Sequence, residues 1–242
     1  MTRTAGAPPI VEVRGLRAWY GPAQILFDID LTLERGSVVA LMGRNGAGKS
    51  TTFKAIMGLL GRVEGTIRFE GNDVRGRPAW HMARAGLGYV PEDRRIFTEL
   101  TVMENLAVGR QPRRDDAPFW TPERVFELFP NLGRMRDRRG GEMSGGEQQM
   151  LTVARTLMGN PRAILLDEPS EGVAPVIVEQ MASMILDLKR EGLSVLLSEQ
   201  DPGFAGAVSD RACILDRGQI RFDGTMQSLI ASPDIGHAYL GL

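Results

Sequence analysis

The stretch that most constrains this chain runs from Ser37 to Thr51, with the sequence SVVALMGRNGAGKST. Residues 38–41 are a short, continuous apolar run, which is typical of a buried strand. They lead into GRNGAGKS at 43–50, which matches the phosphate-binding loop G-x-x-x-x-G-K-[ST], and helix-forming residues follow at 52–57. Because the motif requires a strand before it and a helix after it, this context disfavours a chance match. The sequence therefore predicts a site for the phosphates of a nucleotide.

The residue types of this loop suit phosphate binding. Its glycines let successive backbone N–H groups turn inward around phosphate oxygens, and the helix N-terminus that follows favours an anion. Lys49 supplies a fixed positive charge for the outer phosphates, and the hydroxyl of Ser50 is suited to ligate Mg²⁺. We predict that the nucleotide is contacted by Gly43, Arg44, Asn45, Gly46, Ala47, Gly48, Lys49, Ser50 and Thr51.

Two adjacent carboxylates form the second chemical element. The apolar run at 163–166 predicts a buried strand that delivers Asp167 and Glu168 at its carboxyl end, where α/β sheets place their ligands. Because neighbouring strand residues point to opposite sides, we expect different roles. Asp167 is suited to the Mg²⁺ shell, and Glu168 to polarising the water that attacks the γ-phosphate. Alone, the pair would indicate a solvated acidic turn, but beside a phosphate loop the functional interpretation is favoured.

The third element is MSGGEQQ at 143–149. Ser144, Gly145 and Gly146 precede a helical run from Gln148 to Met158, which predicts a second helix N-terminus with free N–H groups and a hydroxyl. One nucleotide does not need two such anion sites from a single chain. We therefore interpret this segment as completing the site of another subunit, with an ordinary capped helix as the alternative.

Composition narrows the possible function. The net charge of −1 argues against a general nucleic-acid-binding protein. No apolar stretch approaches 18 residues, so none is expected to span a membrane. Residues 1–9 lack the apolar core of a signal peptide and are expected to be a frayed lead-in, which predicts a cytoplasmic location. The single cysteine, Cys213, lies in an apolar run and is expected to be a small buried hydrophobe.

The order of predicted elements indicates the fold class. Alternating residues predict antiparallel strands over 10–35, with Phe27, Ile29, Leu31 and Leu33 on the buried face. Short strands are predicted at 65–71 and 87–91, charged helical segments at 92–158, strands at 162–166, 194–198 and 212–215, and a helix at 175–190. Strand–helix alternation of this kind predicts an α/β fold with a doubly wound parallel sheet, an inserted helical block and β structure at the front.

Taken in order, GRNGAGKST at 43–51, SGGEQQ at 144–149 and ILLDEP at 164–169 resemble the ATP-binding subunit of an ABC transporter. The resemblance covers nearly the whole chain. Further segments resemble one branch, the second ATPase subunit of branched-chain amino acid uptake systems, with urea and short-chain amide importers as close relatives: YVPE at 89–92, LTVAR at 151–155, DEPS at 167–170, GVAP at 172–175, SEQ at 198–200 and AYLG at 238–241.

The resemblance implies a P-loop NTPase of RecA-like type with an N-terminal antiparallel β subdomain and an inserted helical subdomain. The core would cover about 8–91 and 159–242, and the helical subdomain about 92–158. It also implies ATP and Mg²⁺ as ligands, with Tyr20 stacking on adenine, Glu168 as the catalytic base and Asp167 beside Mg²⁺. The signature residues Ser144, Gly145, Gly146 and Glu147 would contact the γ-phosphate bound by the opposite subunit, and the segment from Glu92 to about Leu106 would contact a membrane subunit.

Three positions depart from the general ABC pattern. Glu92 stands where glutamine is usual, so a carboxylate would reach Mg²⁺ and the attacking water. Gln200 stands where a switch histidine is usual, and its amide donates a hydrogen bond but cannot become cationic. We predict that Glu92 and Gln200 contribute to catalysis and that Glu92, with Ser50 and Asp167, contributes to the metal site. Ala174 replaces an aspartate, which removes one contact between subunits.

The sequence hypothesis is thus an ATPase that dimerises head-to-tail around two MgATP at the cytoplasmic face of the plasma membrane. A related ATPase subunit is favoured as its partner, and a homodimer is left open. Membrane permeases would import a branched-chain amino acid or a related small solute, and a periplasmic or extracellular solute-binding protein would take part only indirectly. No nucleic-acid partner is expected.

The alternatives are an importer ATPase for urea or short-chain amides, and a non-transport ABC ATPase acting in DNA repair or translation. Non-transport members usually carry two ATPase halves or long extensions. A simple P-loop kinase or regulatory module is disfavoured because it has no use for a second γ-phosphate site such as SGGEQQ.

Overall fold

The computed structural model describes residues 8–240. The predicted lead-in at 1–9 therefore lies outside the described residues except for its last two, and so does Gly241 of the C-terminal AYLG segment. The strands are β1 (Val11–Tyr20), β2 (Ala23–Leu33), β3 (Val38–Met42), β4 (Arg62–Phe69), β5 (Asn72–Asp73), β6 (Leu87–Val90), β7 (Ala163–Asp167), β8 (Ser194–Glu199), β9 (Arg211–Asp216) and β10 (Gln219–Thr225). The helices are α1 (Lys49–Ile56), α2 (Ala79–Ala85), α3 (Val102–Gly109), α4 (Pro122–Leu128), α5 (Pro130–Gly133), α6 (Gly145–Leu157), α7 (Pro175–Arg190), α8 (Pro202–Val208), α9 (Met226–Ile230) and α10 (Pro233–Tyr239).

The central sheet has six strands in the order β10-β9-β3-β8-β7-β6. From β9 to β6 neighbouring strands are parallel, and β10 is added antiparallel to β9 at one edge. Every residue of β3, β7 and β8 is buried, which explains the continuous apolar runs at 38–42 in β3, 163–166 in β7 and 195–197 in β8. The predicted parallel sheet is present.

Alternate residues of the central strands serve two hydrophobic cores. Val39 and Leu41 of β3 pack with α1 and with the second sheet, whose strand order is β2-β1-β4-β5. Val38 and Ala40 of the same strand face the other core, which α6 and α7 fill. Since successive strand residues point to opposite faces, β3 is covered on both sides. This is the layered arrangement that positions the loops at the strand ends.

The predicted alternation along β2 is wrong at Phe27. Ile29, Leu31 and Leu33 are buried as expected, but Phe27 is exposed and Leu26 is buried in its place. The cause is a register shift in the pairing with β1, at Asp28, whose φ is +54°. An irregularity of this kind exchanges the two faces of a strand, so the residues before it follow the opposite alternation.

Helices α3 to α6 lie between β6 and β7, within the predicted helical block. The block begins with loop residues rather than helix, since α3 starts at Val102. Helix α6 starts at Gly145, earlier than predicted, because Ser144 caps it: the Ser144 hydroxyl accepts from the Glu147 N–H at 3.4 Å while the Glu147 carboxylate accepts from the Ser144 N–H at 2.7 Å. No helix within residues 8–240 is long and apolar enough to cross a membrane.

Gly218, in the turn between β9 and β10, ties the second sheet to the phosphate loop. Its N–H donates to the carbonyl of Ala47 at 2.8 Å, and its own carbonyl accepts from the N–H of Phe27 at 2.8 Å. Its φ is +73°, and a Cβ at this position would lie 1.9 Å from the carbonyl oxygen of Ile25. The close approach therefore requires glycine.

Replacing Gly218 with alanine is expected to lower the free energy of unfolding by about 2–4 kcal/mol, because backbone strain and overlap with Ile25 add. Gly21→Ala is the matched control: its φ is +55°, but a Cβ at this position would meet no atom within 4 Å, so only the cost of the left-handed backbone remains, about 1–2 kcal/mol. Urea unfolding of both variants measures the difference. Equal destabilisation would contradict the close approach.

Candidate functional site

Three strand ends bring the predicted chemical elements together. Strand β8 lies between β3 and β7, and all three run parallel, so their carboxyl ends meet at one edge of the sheet. The phosphate loop follows β3, Asp167 ends β7 and Glu168 follows it, and Glu199 ends β8 and Gln200 follows it. Met42 is paired with Glu199, and Asp167 with Ser198, which fixes the register of these ends.

The phosphate loop packs closely against two strands, β9 through Leu215 and β2 through Leu26. A Cβ at Gly43 would lie 2.3 Å from the carbonyl oxygen of Leu215, and one at Gly48 would lie 2.8 Å from Cδ2 of Leu26. The φ of Gly48 is +114°, and α1 begins immediately after it at Lys49. The first-turn N–H groups of a helix have no carbonyl within the helix to bond, so they are available to an anion at this end. The loop thus fits a chain of phosphates.

Lys49 is held inside the site rather than extended into solvent. Its side chain is buried, and its Nζ donates to the carbonyls of Gly43 at 2.7 Å and Arg44 at 3.3 Å. The same nitrogen forms an ion pair with Oε1 of Glu168 at 2.9 Å. The charge predicted for the outer phosphates is therefore positioned in the loop and neutralised by the predicted catalytic base.

The Asp167 carboxylate accepts hydrogen bonds from three hydroxyl groups. Its Oδ1 accepts from Ser50 Oγ at 3.0 Å and from Ser198 Oγ at 2.6 Å, and its Oδ2 accepts from the Tyr89 hydroxyl at 3.1 Å. Burial, reinforced by the Asp167 carboxylate, raises the pKa of Tyr89, so this hydroxyl stays protonated and donates. Ser50 and Asp167 are hard oxygen ligands within reach of one small cation, as Mg²⁺ requires. Residues 8–240 hold no cluster of three or more His, Cys, Asp or Glu that could bind a metal alone, so phosphate and water oxygens would complete the shell.

Glu168 is an ionised carboxylate fixed by several donors. Gln200 Nε2 donates to Oε2 of Glu168 at 2.5 Å. The backbone N–H of Glu168 donates to Ser198 Oγ at 3.0 Å. Burial alone would raise the pKa of Glu168, but hydrogen bonds with Glu171, Gln200 and Lys49 lower it below its ordinary value. The hydrogen bond shared with Glu168, together with burial, raises the pKa of Glu171 to about 7. The proton shared by the two carboxyl groups therefore resides on Glu171.

Asp167 and Glu168 were expected to point to opposite sides of the strand, but both side chains reach the same part of the site. Asp167 contacts Ser50 and Glu168 contacts Lys49, so both carboxylates reach consecutive residues of α1. The reason is that the strand ends at Asp167 and Glu168 adopts a φ of +48°, an uncommon conformation that redirects its side chain.

Other predicted site residues lie apart from this cluster. Tyr20, at the end of β1, is 46% exposed, whereas the neighbouring Trp19 is buried beneath Arg62. Glu92 is exposed, and its interaction in the site is a repulsion that helps raise the pKa of Glu171. Within residues 8–240, no hydrogen bond or ion pair joins Tyr20, Glu92 or the segment 144–147 to the phosphate loop.

The structure also adds residues that the sequence reasoning did not assign to the site. Tyr89 and Ser198 orient Asp167, and Glu171 shares a proton with Glu168. Glu199 accepts from the Ser170 hydroxyl at 2.6 Å and from the Gln200 N–H at 3.1 Å, which ties the end of β8 to the turn after Glu168. The one available signal was their position at the carboxyl ends of predicted parallel strands.

Comparison with known proteins gives a consistent result. The sequence profile of the ABC transporter family matches residues 26–171. The chain is 43% identical, over 92% of its length and 96% of the relative's, to the high-affinity branched-chain amino acid transport ATP-binding protein BraG of Pseudomonas aeruginosa. It is 36% identical, over 96% of its length and 97% of the relative's, to the lipopolysaccharide export system ATP-binding protein LptB of Haemophilus influenzae.

Solved structures support the same grouping. A nucleotide-free ATP-binding cassette from an ABC transporter superposes with a TM-score of 0.79 at 26% identity, covering 94% of this chain and 97% of that one. An ATP-binding cassette in its ADP conformation superposes with a TM-score of 0.78 at 26% identity, covering 94% of this chain and 96% of that one. The predicted fold class is confirmed.

Proposed function

The chain belongs to the ABC transporter family as an ATP-binding ATPase, and from this premise we propose that it powers uptake of branched-chain amino acids, or a related small solute, through membrane permeases. The observation that carries the proposal is the 43% identity to BraG over almost the full length of both chains. The lower identity to LptB, 36%, favours import over export.

The geometry supports MgATP binding with the predicted residues. In this proposal the phosphates lie on residues 43–51, and Tyr20, whose ring is exposed, stacks on adenine. Ser50 and Asp167 hold Mg²⁺, which when bound neutralises charge on the phosphate oxygens. Glu92 would join this shell only if its side chain turned inward from its exposed position.

Hydrolysis in this proposal uses Glu168 as the base. Glu168 is ionised and aimed by Gln200, but it is paired with Lys49. Phosphates bound in the loop would compete with Glu168 for Lys49 and so release the Glu168 carboxylate from the ion pair. Glu168 would then accept a proton from water as the water oxygen attacks the γ-phosphorus and ADP leaves. Gln200 keeps the base in place but adds no positive charge.

A second ATPase subunit would complete the site. The N-terminus of α6 carries Ser144, which is exposed, together with Gly145, Gly146 and Glu147. A helix N-terminus that presents free N–H groups outward is suited to the γ-phosphate of a neighbouring subunit. We propose a head-to-tail dimer on this basis, with a related subunit or a second copy as the partner, and with residues 92–158 acting as the helical subdomain.

A groove on the surface supports docking to a membrane subunit at the cytoplasmic face. Its volume is about 490 Å³, and it lies between α2, β6, the loop after β6, α3 and α6. Ten large hydrophobic side chains are exposed within residues 8–240, and four of them line this groove: Leu59, Trp80, Phe97 and Val108. Apolar surface concentrated in one concave patch is typical of an interaction site.

Reconstitution in lipid nanodiscs tests the function. The chain would be combined with the permeases and the solute-binding protein encoded by neighbouring genes. We expect leucine, isoleucine or valine to stimulate ATP hydrolysis through the loaded binding protein, whereas urea and acetamide leave it at the basal rate. Stimulation by urea or acetamide alone would assign the chain to the amide importers, and failure to assemble with any permease would contradict a transport function.

A further inference from the structure

The loop after β6 contains an arginine in a backbone conformation that is unusual for its residue type. Arg94 has a φ of +62° and Arg95 a φ of +51°, so two successive residues with side chains adopt the left-handed conformation. Any residue with a Cβ pays a steric cost in this region, whereas glycine does not. By backbone conformation alone, glycine would be the more stable residue at both positions.

Helix α6 holds this loop in place. Thr152 Oγ1 donates to the carbonyl of Arg94 at 2.9 Å, and Arg155 Nη2 donates to the carbonyl of Arg95 at 2.7 Å. The side chain of Arg94 thereby reaches the first turn of α6, where a Cβ on Gly145 would lie 2.6 Å from Nη1 of Arg94. The guanidinium group is thus in contact with the signature residues of its own chain.

The Arg94 guanidinium has no counter-charge among the described residues. It forms no ion pair there, and its nitrogens donate to no protein atom. Asp93, on the same loop, pairs with Arg95 at 2.8 Å, and the Glu147 carboxylate accepts from the Ser144 N–H at 2.7 Å. A cation beside the N-terminus of a helix is repelled by the helix dipole, and an anion placed between them would be attracted by both.

The proposed ATPase site has a use for one more positive charge. Phosphoryl transfer is accelerated when an arginine, often from a neighbouring subunit, neutralises charge on the γ-phosphate. Gln200, which stands where a histidine is usual, cannot supply such a charge. An arginine suits this role because its planar fork can donate two parallel hydrogen bonds to phosphate oxygens.

We propose that Arg94 is a further γ-phosphate ligand, which acts across the subunit interface on the nucleotide held by the partner's phosphate loop. The inference rests on the proposed head-to-tail dimer, in which the signature residues face that phosphate, and adds a charged residue to them. Arg94 neutralises charge on the phosphate oxygens without forming or breaking a covalent bond. Closure of the dimer then depends on the γ-phosphate, because ADP offers no anion at this position.

The test measures dimer formation with the chain carrying Glu168→Gln, in which slow hydrolysis lets a dimer formed with MgATP persist. The chain is used alone and with the second ATPase subunit encoded by a neighbouring gene, and sedimentation gives the dissociation constant. Arg94→Gly is expected to raise this constant by about 10-fold or more for each Arg94 in the dimer, since hydrogen bonds to charged groups have effects of this size. With MgADP the difference should vanish. ATP binding by the isolated subunit should be unchanged, because the contact is made only across the interface.

Arg95→Gly is the matched control. It relieves the same left-handed backbone in the same loop, but the guanidinium it removes is paired with Asp93. We expect both glycine variants to unfold at similar urea concentrations and only Arg94→Gly to weaken the dimer. Arg94→Lys should recover part of the lost affinity, because the charge returns without the planar fork.

The outcomes separate the inference from the proposed dimer. If the chain dimerises with MgATP and Arg94→Gly leaves the dissociation constant unchanged, Arg94 is not a phosphate ligand and the dimer stands. Equal weakening by Arg95→Gly would assign the effect to the loop backbone, and weaker ATP binding by the isolated Arg94→Gly subunit would place the contact within one chain. Either result overturns the inference. If the chain forms no dimer with MgATP, alone or with the second subunit, the proposed dimer itself fails.

Discussion

Replacing Glu168 with glutamine is expected to lower the ATP turnover number of the assembled transporter by about 100-fold or more, with ATP affinity largely retained. The reason is that the amide keeps the size of the side chain and its place beside Lys49 and Gln200, but it cannot accept a proton from the attacking water. Phosphate release measured with the reconstituted complex, together with nucleotide binding to the isolated subunit, tests both parts.

Glu171→Gln is the matched control for this prediction. Glu171 lies in the same turn and shares a hydrogen bond with Glu168, but its pKa is raised to about 7, so near neutral pH it holds a proton for much of the time. An amide can replace the donor function of that protonated carboxyl, and we expect turnover to fall by less than about tenfold. If Glu171→Gln is as damaging as Glu168→Gln, the two carboxyl groups act as a unit. If Glu168→Gln leaves turnover unchanged, Glu168 is not the base.

The parts of the fold that the sequence predicts well are those whose burial is uniform or strongly periodic. Strand β3 is apolar throughout because both of its faces are covered, and the helix predicted at 175–190 has the observed bounds, Pro175–Arg190. Of the apolar stripe along this helix, Met181, Ile185 and Leu188 are buried and Val178 is half-buried. Long-range geometry is not needed to recognise such segments.

The parts that were missed or wrong depend on geometry that no local pattern contains. The exchange of faces at Phe27 follows from a register shift against β1, which a period-two pattern cannot show. Strand β10 and helices α2 and α8 to α10 were not predicted, because these elements are at most seven residues long and their patterns are correspondingly weak.

The site residues also fall into two groups, those that local sequence patterns predict and those that only the three-dimensional arrangement reveals. Lys49 and Ser50 were paired with the carboxylates at 167 and 168 because both motifs are local and chemically complementary. Tyr89 and Ser198 can be assigned to the site only from the strand order, which places β8 between β3 and β7 and β6 beyond β7. The pairing of Lys49 with Glu168, in place of a phosphate, also depends on three-dimensional proximity that sequence spacing does not supply.

Replacing Lys49 with methionine is expected to lower ATP affinity by about 30-fold or more, because a buried ammonium aimed along the phosphate loop is lost. The same change leaves the Glu168 carboxylate buried without its cation. We expect this to reduce the free energy of unfolding by about 2–3 kcal/mol, with part of the cost offset by the remaining bond from Gln200. Nucleotide titration and urea unfolding of the isolated subunit measure the two effects.

A double variant separates the two roles of Lys49. Lys49→Met combined with Glu168→Gln removes both charges of the buried pair, so no uncompensated carboxylate remains. We expect its stability to return to within about 1 kcal/mol of the native chain, while ATP affinity stays as low as in Lys49→Met. Recovery of stability without recovery of binding would establish that the ammonium stabilises the empty site through Glu168 and serves the nucleotide through its phosphates. A double variant as unstable as Lys49→Met would show that the ion pair is not the source of the lost stability.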